Sequence, residues 1–188
     1  MPDAEGFYTL GALSSVPVRE RPDLVAPSTR ATIEALGLGD VVGVVEIDPA
    51  VSDTAATQDT YALVGENLVN CVVVTGRREG EERTAACLVN ATTRADINGI
   101  VKRRLDVRKA SFMAHELAVE STGMEFGGIT PIGLPEAWPI LVDARIPGTA
   151  VVIIGSGIRA SKLLVPGAVL AQLPGAETVE ELGRTVSS

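Results

Sequence analysis

Aromatic residues, histidine and cysteine are scarce in this sequence. Phe, Trp and Tyr make up 3% of the 188 residues and hydrophobic residues 46%, so we expect a core of Val, Leu, Ile and Ala. One histidine and two cysteines make a poor set of metal ligands and no disulfide framework. We therefore predict no metal and no cofactor, and we interpret Cys71 and Cys87 as buried thiols, since each lies in an apolar segment.

Long apolar runs are also missing. Runs such as CVVV at 71–74 and TAVVIIG at 149–155 are far shorter than the roughly 18 residues that a membrane span needs. The first residues, MPDAEGFYTL, carry acids, and no basic residue precedes Arg19, which does not match a secretory signal. These features favour a cytoplasmic protein that does not enter a membrane.

Basic residues are outnumbered by acidic ones, and they are unevenly placed. The formal net charge of −8 argues against broad, nonspecific affinity for nucleic acid. Residues 77–109 nevertheless hold nine bases and five acids, so this segment is +4 and the rest of the chain is −12. The basic segment is compatible with a local phosphate-binding patch and equally with a solvated surface.

The length suits one domain, and the residue pattern mixes helices and strands. Capping residues predict helix starts at Pro27, Asp53, Thr93, Ser111 and Thr178. Runs rich in β-branched residues predict strands at 41–48, 70–76, 83–92, 138–144, 149–155 and 161–165. The polar RREGEE between the second and third strands predicts a hairpin loop longer than the tightest kinds. Because no strict βαβ rhythm is present, the pattern predicts an α+β domain with a mixed, strongly curved sheet.

The stretch ESTGMEFGGITPIGLP at 120–135 is unusual for a connection between elements. It holds four glycines and two prolines but keeps five large apolar side chains, which a solvated linker does not need. Glycine permits unusual dihedral angles and close approach of the backbone, and proline restricts the chain. The composition therefore indicates a stiff, partly buried loop.

This loop and its flanking segments resemble the YbaK/EbsC family, also called the prolyl-tRNA synthetase-associated domain. The similarity covers about residues 28–182, in order. It is carried by TAATQDTYALVGENLVNCVVV, DVRKASFMAHELAVESTGMEFGGITPIGLP, WPILVDARI and IIGSGIRASKLLV. The resemblance implies a single domain with a barrel-like sheet flanked by helices, with residues 1–27 as an N-terminal extension and 183–188 as a C-terminal tail.

Members of that family are trans-editing deacylases or editing domains of prolyl-tRNA synthetases, which hydrolyse the ester joining a wrong amino acid to the 3′ end of tRNA. The implied partner here is an aminoacyl-tRNA 3′ end or a small aminoacyl ester. Such activated esters chiefly need positioning and stabilisation of the oxyanion, which backbone amides of a rigid loop supply. The implied catalytic residues are Gly127, Gly128, Ile129, Thr130, Pro131 and Asn70. The implied substrate-binding residues are Gly123, Gly133, Asp143, Ser156 and Gly157, and the basic segment adds Arg77 and Arg78 as candidate phosphate contacts for the acceptor end.

The sequence departs from the family at Asn70, which occupies the position of the family's lysine. Asparagine is neutral and cannot stabilise an oxyanion or a phosphate by charge. Another base, Arg77, Arg159 or Lys162, is a candidate to substitute, or the chain acts on a different acyl group or carrier. A third interpretation is a noncatalytic binding or regulatory module, and hydrolysis of an unrelated small ester is a further alternative. The single histidine, His115, has no apparent triad partner and is interpreted as an ordinary helix residue.

Overall fold

The computed structural model describes residues 6–186, which form strands and short helices. The strands are β1 Thr9–Leu10, β2 Leu13–Ser14, β3 Val16–Pro17, β4 Gly43–Glu46, β5 Val69–Arg78, β6 Glu81–Asn90, β7 Thr93–Ala95, β8 Ala110–Phe112, β9 Ile140–Asp143, β10 Val152–Gly155, β11 Ser161–Val165, β12 Ala176–Val179 and β13 Gly183–Thr185. The α-helices are α1 Pro27–Ala35, α2 Thr54–Thr60, α3 Lys102–Leu105, α4 His115–Thr122 and α5 Gly167–Leu170. Single 3₁₀ turns lie at Val18–Glu20, Pro22–Leu24, Pro49–Val51 and Gly65–Asn67, and a π-helical turn lies at Ile97–Val101.

The larger sheet is mixed and has the strand order β12-β9-β6-β5-β8. Strand β9 runs parallel to both of its neighbours, and the other pairs are antiparallel. Strands β5 and β6 pair over their full length, from Val69 with Asn90 to Arg78 with Glu81. Their connection is the two residues Glu79 and Gly80, both with positive φ, as tight hairpin turns require. The prediction of a longer hairpin loop was wrong, because the polar residues around it extend both strands.

The second sheet is antiparallel and has the order β10-β11-β4-β3. A single parallel bridge between Leu68 and Ile153 joins its β10 edge to the start of β5. Within residues 6–186 no sheet closes on itself. The α+β single-domain class predicted from the sequence is confirmed, whereas the strongly curved, barrel-like sheet is not.

The core is aliphatic, as the composition predicts. One cluster of buried side chains fills the space between the two larger sheets and α1, and it includes Val44, Leu88, Val142, Ile154 and Leu163. Ile132 from the glycine-rich stretch is fully buried in the same cluster. A second cluster lies on the other face of the five-stranded sheet, under residues 97–107. Burial of Ile132 anchors the glycine-rich stretch to the domain.

The stretch before residue 28 packs on the domain. Strand β3 pairs with β4 through Val16 and Val44. Val18 and Leu24 are buried in the main cluster, and Leu13 is buried in a smaller one beside it. Strand β3 therefore forms one edge of the four-stranded sheet, while β1 and β2 form a separate two-stranded sheet.

Three helix starts predicted from capping residues lie in strands instead. Thr93 is in β7, Ser111 in β8 and Thr178 in β12. Strand β7 pairs with β13, β8 with β5 and β12 with β9. Such pairing with segments distant in sequence overrides a local capping preference. The helical turn after β7 is capped by Asp96, whose carboxylate accepts the Gly99 N–H.

Candidate functional site

A cavity of about 280 Å³ lies between the start of α2, the start of β5, strand β10 and the glycine-rich loop. Its lining includes Asn70, Gly127 and Ile129, which the resemblance implied as catalytic residues. Lys162 from β11 and Ser52 before α2 also line it. The fold therefore brings part of the predicted site together with one of the candidate bases.

Strand pairing explains why Asn70 and Lys162 share this cavity. The parallel bridge joins Leu68 to Ile153, so two residues further along both strands Asn70 lies beside Gly155. On the other side of β10, Gly155 pairs with Lys162 of β11. Two strand spacings place the two backbones about 10 Å apart. The loop backbone approaches the sheet closely at Gly155, between these two strands. A Cβ at Gly155 would lie 2.5 Å from the carbonyl oxygen of Gly128, so this position requires glycine.

The loop is fixed by backbone hydrogen bonds to the turn after β10. The Gly157 N–H donates to the Gly128 carbonyl at 2.7 Å, and the Glu125 N–H donates to the Gly157 carbonyl at 2.9 Å. Gly128 is buried, and a Cβ there would meet the backbone of Ile158 at 2.7 to 2.9 Å. Gly127 has φ +83°, a conformation that favours glycine. The loop backbone thus has a defined position against the second sheet.

Two amides of the loop have no acceptor within the described part of the chain. The N–H groups of Gly127 and Ile129 donate to no acceptor among residues 6–186, and both residues line the cavity. The buried hydroxyl of Ser52, also in the lining, has no hydrogen-bond partner in the same part of the chain. Gly127 is exposed and Ile129 is partly buried, whereas Ser52 is fully buried, and a buried polar group is normally paired. Unpaired donors in a cavity wall are therefore suited to binding an oxygen atom of a ligand.

Lys162 supplies positive charge to the cavity. Its Nζ donates to the Ser52 carbonyl at 2.9 Å. Burial lowers the pKa of Lys162 to about 8, with the nearby Arg159 acting in the same direction and Asp53 opposing it. At neutral pH the amine is mostly protonated, because the pH is still below that value. The cavity therefore contains a cation although Asn70 is neutral.

Asn70 is oriented by a neighbour on α2. Thr54 Oγ1 donates to Asn70 Oδ1 at 2.7 Å, which leaves the carboxamide nitrogen as the group able to donate to a ligand. Cys71 follows in the lining. Burial, followed by the proximity of Cys87, raises the pKa of the Cys71 thiol, so it is not a thiolate nucleophile at neutral pH.

Arg159 holds the loop from outside the cavity. Its guanidinium donates to the carbonyls of Phe126, at 3.1 Å, and Pro49, at 3.0 Å. Its backbone N–H donates to the Glu125 carboxylate at 2.6 Å. A Cβ on Gly127 would lie 2.7 Å from the same guanidinium. Arg159 therefore ties the loop to the segment before α2, and Lys162 is the candidate base that reaches the cavity.

Asp143 lies in a different hollow, lined also by Arg145 and Arg184. Its buried carboxylate accepts two hydrogen bonds from the Arg145 guanidinium, at 2.7 and 2.8 Å, and one from the Gly183 amide at 2.6 Å. Burial favours the neutral acid, but these bonds outweigh it and hold the pKa of Asp143 below its usual value. In this position Asp143 links β9 to the C-terminal strand.

Other residues implied by the resemblance do not line the cavity. Thr130 and Ser156 are fully buried, and Gly157 lies in the turn that is hydrogen-bonded to the loop backbone. Pro131 and Gly133 line a separate hollow against α1 and Trp138. Gly123 ends α4 with φ +67°.

Arg77 and Arg78 are at the far end of β5, seven or eight residues from Asn70. At about 3.3 Å per residue, Arg77 is about 23 Å from Asn70. Arg77 contacts Glu82 at 3.7 Å, and Arg78 contacts Asp106 at 2.8 Å. These arginines can meet a ligand that fills the cavity only if it also extends along the strand.

Sequence reasoning missed Ser52, Thr54 and Phe126 as lining residues. Phe126 directly precedes Gly127, and this adjacency was the one sequence feature that could have indicated its position in the site. Among residues 6–186 no group of three or more His, Cys, Asp or Glu is arranged to hold a metal ion. In the same range, none of the helices combines the length and the apolar character that crossing a membrane requires.

Solved structures share this fold. A protein proposed to be a trans-editing enzyme for prolyl tRNA synthetase matches with a TM-score of 0.69 and 22% identity, over 83% of this chain and 97% of its own. The hypothetical protein APE2540 matches with a TM-score of 0.71 and 20% identity, over 84% and 99%. A structure from computational epitope grafting onto scaffold proteins matches with a TM-score of 0.70 and 20% identity, over 86% of this chain and 100% of its own. This chain therefore shares its fold with these three proteins.

A sequence model described as the aminoacyl-tRNA editing domain matches residues 48–173, which is more than half of the chain. The protein belongs to the aminoacyl-tRNA editing domain family. The resemblance to the YbaK/EbsC family predicted from the sequence is thereby confirmed. A comparison with curated proteins gave no match.

Proposed function

We propose that this protein hydrolyses the ester bond of mischarged aminoacyl-tRNA, with the aminoacyl group in the cavity beside Asn70. The observation that carries this proposal is that Gly127 and Ile129, whose amides have no acceptor among residues 6–186, line one cavity together with Lys162. Membership of the aminoacyl-tRNA editing domain family supports the choice of substrate.

In the proposed reaction the loop amides stabilise the transition state. Water attacks the ester carbonyl carbon, and the carbonyl oxygen, which becomes an oxyanion, accepts hydrogen bonds from the Gly127 and Ile129 N–H groups. The bond between the carbonyl carbon and the ribose oxygen then breaks, and the ribose oxygen takes up the proton that the attacking water gave up. The products are a free amino acid and a tRNA with a free 3′ terminus.

Lys162 takes over the electrostatic role of the missing family lysine in this proposal. Its ammonium enters the cavity from β11, opposite Asn70 on β5. A partly buried charge acts more strongly than an exposed one, because solvent screens it less. Asn70 then positions the substrate or the water through its free carboxamide nitrogen.

The test is a deacylation assay over a panel of mischarged tRNAs, with wild type and Asn70→Lys. We expect wild type to release the amino acid from at least one member of the panel faster than spontaneous hydrolysis. A wild type that hydrolyses none, together with activity gained in Asn70→Lys, would instead support the noncatalytic binding module. Binding is then measured with a tRNA that carries its amino acid through a stable amide bond. A noncatalytic module binds this tRNA, whereas an inactive preparation does not.

A further inference from the structure

Phe126 is an exposed aromatic residue at the mouth of the cavity. The chain has only three Phe, two Tyr and one Trp, and Phe126 lines the cavity while half of its surface, 50%, remains exposed. The exposed His115 at the start of α4 packs against it, with ring centroids 4.1 Å apart and an angle of 32° between the rings. Two of the few rings in this protein thus form an exposed pair beside the site.

The position of this pair is set by the backbone. The Phe126 carbonyl accepts the hydrogen bond from the Arg159 guanidinium, and His115 is held by the first turn of α4. Phe126 belongs to none of the hydrophobic clusters of residues 6–186. Phe126 is therefore not a core residue, and its half-exposed ring can contact a ligand that enters the cavity.

The chemistry of the proposed substrate indicates what such a surface would meet. Phe126 directly precedes Gly127, whose amide is the proposed donor to the ester oxygen. In an aminoacyl-tRNA the base of the 3′-terminal nucleotide is one ribose away from the ester. A carbonyl bound at Gly127 therefore places that base near the mouth of the cavity. Unpaired bases bind by stacking on aromatic side chains.

We propose that Phe126, supported by His115, is a stacking platform for the 3′-terminal adenine. This inference rests on the proposed function, because it takes the ester to lie against the loop amides. The platform contributes to binding of the nucleoside and not to the chemistry of the ester. Its loss should therefore affect KM for substrates that carry the base and leave substrates without a base unchanged.

The test compares aminoacyl-adenosine with the ethyl ester of the same amino acid. We expect Phe126→Leu to raise KM for aminoacyl-adenosine about tenfold, with kcat and ethyl ester hydrolysis unchanged. Phe126→Tyr, which keeps an aromatic face, should behave as wild type. Phe112→Leu is the matched control, because Phe112 is 58% exposed and does not line the cavity.

Two outcomes would overturn the platform. One is an unchanged KM for aminoacyl-adenosine in Phe126→Leu. The other is an equal loss with the ethyl ester, which would make Phe126 a wall of the acyl pocket. If wild type hydrolyses neither substrate, calorimetric titration with an amide-linked aminoacyl-adenosine analogue decides on the platform, and the panel of mischarged tRNAs decides separately on the proposed function. In the titration, weaker binding to Phe126→Leu than to Phe112→Leu supports stacking, and equal binding overturns it.

Discussion

At the scale of single residues, Lys162 is the side chain on which the electrostatics of the site depend. It provides a cation in the cavity where the family's lysine is replaced by Asn70. Its amine is held at the Ser52 carbonyl, so its charge has a fixed place relative to the loop amides. Charge of this kind stabilises a developing oxyanion only if it is already in place before the reaction.

Replacing Lys162 with methionine should therefore lower kcat/KM for deacylation by about 10²-fold, the usual effect of losing one group that stabilises the oxyanion. Lys162→Arg keeps the charge and should retain more activity than Lys162→Met. The measurement is steady-state deacylation of the substrate found in the panel. Arg30→Met serves as control, since Arg30 is an exposed base outside the cavity that pairs with Glu34. Unchanged kcat/KM in Lys162→Met would remove this residue from the mechanism.

The lowered pKa of Lys162 predicts a pH dependence of activity. Burial lowers this pKa to about 8, so the amine is charged below that pH and becomes neutral as the pH rises through it. Enzymatic deacylation, divided by spontaneous hydrolysis at the same pH, should decrease above about pH 8 in wild type. Lys162→Arg should show no such decrease, because a guanidinium stays protonated throughout this range. Equal profiles for both proteins would contradict the electrostatic role.

At the scale of elements, the glycine-rich loop depends on backbone conformations that other residues do not adopt easily. Gly127→Ala should lower stability by about 1 to 2 kcal/mol, because its φ of +83° is unfavourable for alanine. It should lower activity further, because the added Cβ displaces the Arg159 guanidinium that ties down the loop. Gly148→Ala is the matched control, with its nearest neighbour 3.9 Å away. Thermal unfolding and deacylation rates measure both effects, and full activity in Gly127→Ala would refute the role of the loop.

Local sequence signals predicted the elements that depend on local interactions. Asp53 caps α2 through the Ala56 N–H, as predicted. Thr93 and Ser111 carry equally good capping signals but lie in strands, because pairing with distant segments decides their conformation. Single-sequence patterns contain no information on such partners.

The residues of the candidate site also divide into those that local sequence indicates and those that long-range packing brings in. The loop at 120–135 was recognisable because its glycines and prolines lie close together in sequence. Lys162 was one of three candidate bases, and only the pairing of β10 with β11 places it opposite Asn70. Ser52 carried no signal at all, since its hydroxyl becomes part of the cavity through long-range packing.

At the scale of the whole molecule, charge is distributed in a way that would orient a polyanion. Residues 77–109 have a net charge of +4, and the rest of the chain has a net charge of −12. The arginines of this segment at the end of β5 are about 23 Å from the cavity along the strand. A tRNA that places its 3′ end in the cavity is repelled by most of the surface, so an approach along β5 is favoured.

Neutralising the end of β5 should therefore weaken tRNA binding and reduce its dependence on salt. Each phosphate contact adds about 0.7 to 0.9 to the slope of log K against log salt, so Arg77→Gln with Arg78→Gln should reduce that slope by about 1.5. The exposed ion pairs of these arginines with Glu82 and Asp106 are weak competitors for phosphate. Arg19→Gln with Arg21→Gln removes the same charge from paired arginines outside the basic segment and should leave the slope unchanged. Binding measured between 50 and 200 mM salt gives both slopes, and equal slopes for the two double variants would exclude the end of β5 from the tRNA interface.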